Sequence, residues 1–140
     1  MPSLTIAVVL DPPGVSRAVE QAQTWLEDEV AVDARAAMHV ALTLDELLTN
    51  VATHGGAEGQ GAEVRLDVAA DRVGVEIDDP AAAYDPRQAP VPDFDAGLEE
   101  RRIGGLGIHL VMKLSQDLAY HRDEGLNRTR YWIARNLADD

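Results

Sequence analysis

Glu46 and Asn50 lie four residues apart in the stretch Leu44-Asp45-Glu46-Leu47-Leu48-Thr49-Asn50-Val51-Ala52-Thr53-His54-Gly55. On a helix that spacing makes a carboxylate and a carboxamide neighbours that can reach one ligand. Ordinary solvated helix faces carry such pairs too, so the pair alone leaves both readings open. Gly104-Gly105-Leu106-Gly107 precedes an apolar run. At a helix start, glycines let the backbone approach an anion closely while the free amides of the first turn face it, which suits phosphate. A flexible loop followed by a helix cap has the same composition, and neither the dinucleotide-binding pattern nor a Walker lysine is present. Asp78-Asp79-Pro80-Ala81-Ala82-Ala83-Tyr84-Asp85-Pro86 mixes turn formers with carboxylates. A carboxylate buried there can accept a hydrogen bond from an exocyclic amine, and a plain turn needs the same residues.

Periodicity predicts the elements that hold these residues. At about 100° per residue, Val40, Leu44, Leu47, Leu48 and Val51 form an apolar arc, with His39, Thr43, Glu46, Asn50 and His54 in a polar stripe beside it. Asp33 is placed to cap this helix, and Gly55-Gly56 to end it in the left-handed conformation glycine allows. Upstream, residues 4–9 read as a strand and residues 15–30 as an amphipathic helix begun near Gly14 or Ser16. Downstream, residues 62–68 and 73–78 alternate about a tight turn at Ala70-Asp71-Arg72 and read as a hairpin. The stretch from Asp79 to Gly105 holds Pro80, Pro86, Pro90 and Pro92 without an apolar period, as in a long loop of the kind that serves as a lid. Residues 108–114 then read as a short helix, and residues 117–122 and 129–134 as two last strands. This order predicts an α+β, two-layer sandwich: a mixed, mostly antiparallel sheet with three helices on one face. Trp25, Trp132 and the Leu and Val stripes are read as its core.

Composition narrows the function classes. The chain has 140 residues, enough for one domain with a real core, and no apolar run long enough to cross a bilayer. No cationic segment followed by an apolar one suggests a secretory leader, so a cytoplasmic protein is expected. The absence of cysteine removes disulfides, thiolate metal sites and cysteine nucleophiles. A net charge of −13 argues against nucleic acid or an anionic membrane as a direct partner. A basic protein surface, or an anion brought with a metal, is compatible with it. His39, His54, His109 and His121 lack ligand spacing, and neither Ser16 nor Ser115 belongs to a triad pattern.

Three stretches taken in order, Glu46-Leu47-Leu48-Thr49-Asn50, Asp79-Pro80-Ala81-Ala82-Ala83-Tyr84-Asp85-Pro86 and Gly104-Gly105-Leu106-Gly107-Ile108-His109-Leu110-Val111, agree in type and spacing with a known set. In them the chain resembles the small anti-sigma-factor serine kinases of the GHKL (Bergerat-type) ATP-binding superfamily. The likeness covers nearly the whole chain, including the Gly125-x-Asn127 turn. It implies a single ATP-binding domain over residues 1–140 with a lid over about 87–103, ATP or ADP and Mg²⁺ as cofactors, and transfer of phosphate to a serine of a STAS-type anti-anti-sigma protein. A sigma factor as second partner and a homodimer are implied as well. By position, Glu46 is similar to the general base that takes the serine proton. Asn50 is similar to the asparagine that holds Mg²⁺ against the phosphates, and Asp79 to the aspartate that recognises the adenine amino group. Gly104, Gly105, Leu106, Gly107 and Ile108 match the second nucleotide box, and Arg101 or Arg102 in the lid can neutralise phosphate charge. Ala81 stands where the family's first box carries glycine and Tyr84 where phenylalanine is usual; both are expected to border the nucleotide. The alanine also supports a rival expectation, a non-catalytic module that sequesters a partner and binds nucleotide weakly or only structurally.

Overall fold

The computed structural model describes residues 1–88 and 106–135. Strands β1 (Ser3–Val9), β2 (Gly61–Val68), β3 (Arg72–Asp79), β4 (Gln116–Asp123) and β5 (Leu126–Ala134) form one sheet in the order β1-β2-β3-β5-β4. Each neighbouring pair is antiparallel. Among the described residues three α-helices, α1 (Pro12–Thr24), α2 (Ala34–His54) and α3 (Leu106–Leu114), make up the second layer, with α2 packed against both of the others. The expected α+β sandwich is therefore what the chain forms, with every described strand pairing antiparallel. None of the described helices is long and apolar enough to cross a membrane.

Strand alternation decides which side chains meet the helices. Ile6 and Val8, Val64 and Leu66, Val73, Val75 and Ile77, and Tyr131 and Ile133 are buried. Val40, Leu44 and Leu48 on α2 are fully buried among them. Helix α2 thus commits its apolar arc to the sheet, and of the polar stripe Thr43 is buried with that arc whereas Glu46 and Asn50 are only half-buried. Its N-terminus is capped as the sequence predicts, Asp33 Oδ2 accepting from the Ala36 amide at 3.1 Å.

Four local expectations are revised. Helix α1 begins at Pro12 because Asp11 caps it, its Oδ1 accepting from the Gly14 amide at 2.7 Å. Prolines in a first turn give up only amides that have no intrahelical partner, so Pro12-Pro13 open the helix instead of delaying it. The helix ends at Thr24 and passes into one π-helical turn, Trp25–Glu29. Helix α3 starts at Leu106, ahead of the predicted Ile108. Trp132 is not core: with Tyr131 and Ile133 pointing inward it must face the other side of the sheet. There the Arg72 guanidinium lies 3.9 Å from its ring centroid, and its Nε1–H donates to Asp117 Oδ2 at 2.9 Å.

A single buried polar tie joins α2 to the sheet at β5. The Tyr131 hydroxyl donates to Thr43 Oγ1 at 2.9 Å, and Thr43 in turn donates within α2 to the carbonyls of His39 and Val40. Burial pushes the Tyr131 phenol far above its usual range, so it stays a donor. Tyr131→Phe keeps the ring and removes the tie while leaving Thr43 bonded within its helix. The expected loss is about 1 kcal/mol of unfolding free energy with an unchanged m-value, read from urea titrations.

Candidate nucleotide site

Glu46 and Asn50 are both half-buried on the polar stripe of α2, and neither forms a hydrogen bond or ion pair with another described residue. Burial, and then the neighbouring Asp45 carboxylate, hold the Glu46 carboxyl above the ordinary range. The start of α3 comes against this side chain: the Glu46 carboxylate fills the place where a Cβ on Gly107 would stand. The first and third sequence motifs are therefore in direct contact. Leu106 opens α3, whereas Ile108 belongs to the hydrophobic core. Gly104 and Gly105, the arginines at 101 and 102, and the expected lid beyond Gln88 lie outside the described residues.

The other end of α2 meets the second motif. Asp79, 3% exposed at the end of β3, directs Oδ1 to two donors, the Ala81 amide at 3.0 Å and Asn127 Nδ2 at 2.9 Å. Its other oxygen accepts no hydrogen bond from a described residue. Burial raises the Asp79 carboxyl, and the two hydrogen bonds together with the Arg122 charge oppose that rise without reversing it. Asn127 Nδ2 also reaches the Ala81 and Ala82 carbonyls at 3.3 and 3.0 Å. Its Oδ1 accepts from Tyr120 and, at 2.9 Å, from Arg122 Nη1, which further donates to the Ala81 carbonyl at 3.0 Å. A single buried carboxamide thus ties the loop after β3 to the β4–β5 hairpin.

Ala81 is buried, with its methyl turned toward α2. A Cβ on Gly55 would lie 2.6 Å from the Ala81 Cβ, and the Ala82 amide donates to the Gly55 carbonyl at 3.0 Å. Gly55 is right-handed, and Gly56 supplies the left-handed φ of 73°. The glycine pair thus combines a close approach with a helix end. Tyr84 is largely exposed, and His54 lies exposed at the end of α2. A cavity of about 290 Å³ between α1 and α2, lined in part by Ser16, Asp45 and Thr49, includes none of Glu46, Asn50, Asp79, Ala81, Tyr84 and Gly107.

The sequence reading missed the clamp of Asn127, Arg122 and Tyr120 around Asp79, although a polar residue at an inward position of β5 was its visible signal. It also missed the Thr43–Tyr131 tie. The site brings together a half-buried carboxylate and a half-buried carboxamide near the glycine-bearing start of a helix, with a buried carboxylate beside the C-terminal end of α2. Together with the two-layer fold, this is the arrangement that the motif resemblance implies for an ATP-binding domain of the sandwich type.

Comparison with known proteins gives the family. The profile described as a histidine kinase-like ATPase domain matches residues 8–132. The chain belongs to that family and, as its motifs indicate, to the anti-sigma serine-kinase branch, which makes ATP the nucleotide of the site. It is similar to the serine/threonine-protein kinase BtrW of Bordetella bronchiseptica, 34% identical over 108 residues that cover 74% of this chain and 76% of BtrW. Its fold matches the RsbU and RsbW domains of a Mycobacterium tuberculosis protein, with a TM-score of 0.68 at 16% identity, covering 99% of this chain and 34% of that one. It also matches a chain of the SiaB–SiaC complex of Pseudomonas aeruginosa, with a TM-score of 0.66 at 19% identity, covering 93% and 88%.

The raised carboxyls make stability depend on pH with a definite sign. In acid they are protonated in both states. As pH rises past the ordinary carboxylate range the unfolded chain releases its protons first, and the folded state loses stability until the raised folded values are passed. Asp79→Asn keeps an Oδ1 acceptor and removes the charge. Its stability relative to the wild type should climb as pH rises from about 4 and then level off, in urea unfolding at stepped pH. A variant that loses ground over that interval contradicts the assignment of Asp79 as a destabilised buried anion.

Proposed function

We propose that this chain is an ATP- and Mg²⁺-dependent protein serine kinase that phosphorylates a STAS-type anti-anti-sigma protein in a partner-switching circuit. The observation that carries the reading is the contact between the Glu46 carboxylate and the glycine start of α3, which puts a proton acceptor beside a helix terminus suited to phosphate. The name of BtrW supports a kinase, and the solution of SiaB as a complex with SiaC supports a protein substrate. The same reading takes residues 1–140 as one domain with its lid over about 87–103, working in the cytoplasm as a homodimer and binding a sigma factor as its second partner. The net charge of −13 favours a basic docking surface on the partner.

Each residue has a distinct task. Asp79, with Oδ1 engaged by Asn127 and Ala81, offers its second oxygen to the adenine amino group. The amides that open α3, with the Gly104-Gly105 pair the family likeness supplies, serve the phosphates, and Leu106 and Tyr84 border the nucleotide. No group of three acidic or histidine side chains among the described residues can hold a metal alone. The single free carboxamide oxygen of Asn50 does fit Mg²⁺, which takes one or two protein oxygens and completes its shell with phosphates and water. Bound there, Mg²⁺ supplies charge neutralisation. Glu46 accepts the proton of the substrate serine as its oxygen bonds to the γ-phosphorus. The bond from that phosphorus to the bridging oxygen breaks, and ADP leaves with the electron pair. The raised carboxyl makes Glu46 a better proton acceptor than an exposed glutamate. Ala81 does not favour the sequestering alternative, since its methyl packs on Gly55 and its backbone is fixed by Asn127 and Arg122.

A transfer assay with labelled ATP and STAS proteins of the same genome tests the reading. Glu46→Gln should lower transfer about 10²-fold or more with ATP affinity kept. Asp79→Asn should lose ATP binding, because its amide replaces the free acceptor and meets the adenine amine donor to donor. Transfer by Glu46→Gln at the wild-type rate overturns the base assignment, and ATP binding by Asp79→Asn overturns the adenine contact.

A further inference from the structure

The glycines ahead of α3 invite one common explanation, close approach of phosphate. Gly107 departs from it, because the space left by its missing side chain is already filled from within the protein. Oε2 of Glu46 lies where a Cβ would stand, with Cδ 2.5 Å and Oε1 3.2 Å from that point. The whole carboxylate therefore lies against the first turn of α3, not just its tip. No hydrogen bond or ion pair with a described residue holds it there. A glutamate side chain with no partner has several rotamers open to it, and a base must be confined to one for efficient proton transfer. Bare backbone on one side and α2 on the other provide that confinement.

We infer that Gly107 is a positioning residue for the base: its missing side chain is the notch that seats the Glu46 carboxylate. The inference rests on the kinase reading and assigns this glycine a different task within it. The steric consequence separates folding from catalysis. The atoms in the way of an added methyl are the far end of a flexible side chain, and Gly107 lies in the α-helix without a positive φ. Gly107→Ala is therefore accommodated when Glu46 swings out of its seat. Alanine is also the better helix former, so the fold is kept while the base is misplaced.

The test measures turnover and ATP affinity separately. Gly107→Ala should lower kcat about 10²-fold, as expected for loss of a positioned base. The ATP dissociation constant should stay within about threefold, and the unfolding midpoint should not fall. In a Glu46→Asp background the carboxylate is drawn back by one methylene, and there Gly107→Ala should cost about tenfold less than in the wild type. A weakened ATP affinity with kcat retained assigns Gly107 to the phosphates and overturns the inference, as does an equal cost in both backgrounds. If the wild type binds ATP and transfers to no partner, the kinase reading fails. The seat is then decided by the carbon-13 resonance of the Glu46 carboxyl: a shift in Gly107→Ala supports it, and an unchanged resonance overturns it.

Discussion

Helix α2 meets its neighbours at two glycines whose side-chain space is already occupied. The Glu46 carboxylate occupies the side-chain space of Gly107, and the Ala81 methyl presses on Gly55 near the other end. About one turn before Glu46, the Tyr131 hydroxyl reaches Thr43 in the core. Rotation or sliding of the helix drives the Ala81 methyl into Gly55 or leaves the buried Tyr131 hydroxyl unpaired, and either outcome is costly. The apolar arc explains why α2 lies on the sheet. The Gly55 contact and the Tyr131–Thr43 tie explain why it lies there in one orientation, with Glu46 against the start of α3.

A second constraint is electrostatic. Asp79 is a carboxylate almost removed from water in a chain that already carries excess negative charge. Burial of such a group is tolerable only with donors in place, and Asn127, the Ala81 amide and the Arg122 charge supply them. The same donors immobilise the backbone that follows β3, so the arrangement that tolerates the buried charge also sets where its free oxygen points. A neutral carboxamide at the centre suits this task, because it donates to Asp79 and two carbonyls while accepting from Tyr120 and Arg122.

Some of this was legible in the residues and some was not. Helix α2 and the β2–β3 hairpin were readable because their apolar periods are long and uninterrupted. The start of α1 was misread because proline counts as a turn former until its place in a capped first turn is known. Trp132 was misassigned by size, although the parity set by Tyr131 and Ile133 sends it to the outer face. Within the candidate site, type and spacing alone left Glu46, Asn50, Asp79 and Gly107 open to plain structural readings, and the family likeness of the three motifs taken together singled them out. Alanine in place of glycine at position 81 supports an expectation of weak nucleotide binding, whereas its methyl is directed at Gly55.

From the sequence alone came the order of elements, the two-layer class, the absence of thiol chemistry and the family likeness carried by three motifs. These follow from local periods, composition and residue type, which survive any arrangement of the layers. Only the tertiary structure decided that the Glu46 carboxylate fills the notch at Gly107, that Asn127 holds Asp79 and that Ala81 faces α2. Such contacts join residues far apart in the chain, and they are selected by how helix and sheet surfaces interlock at close packing, which no local pattern records.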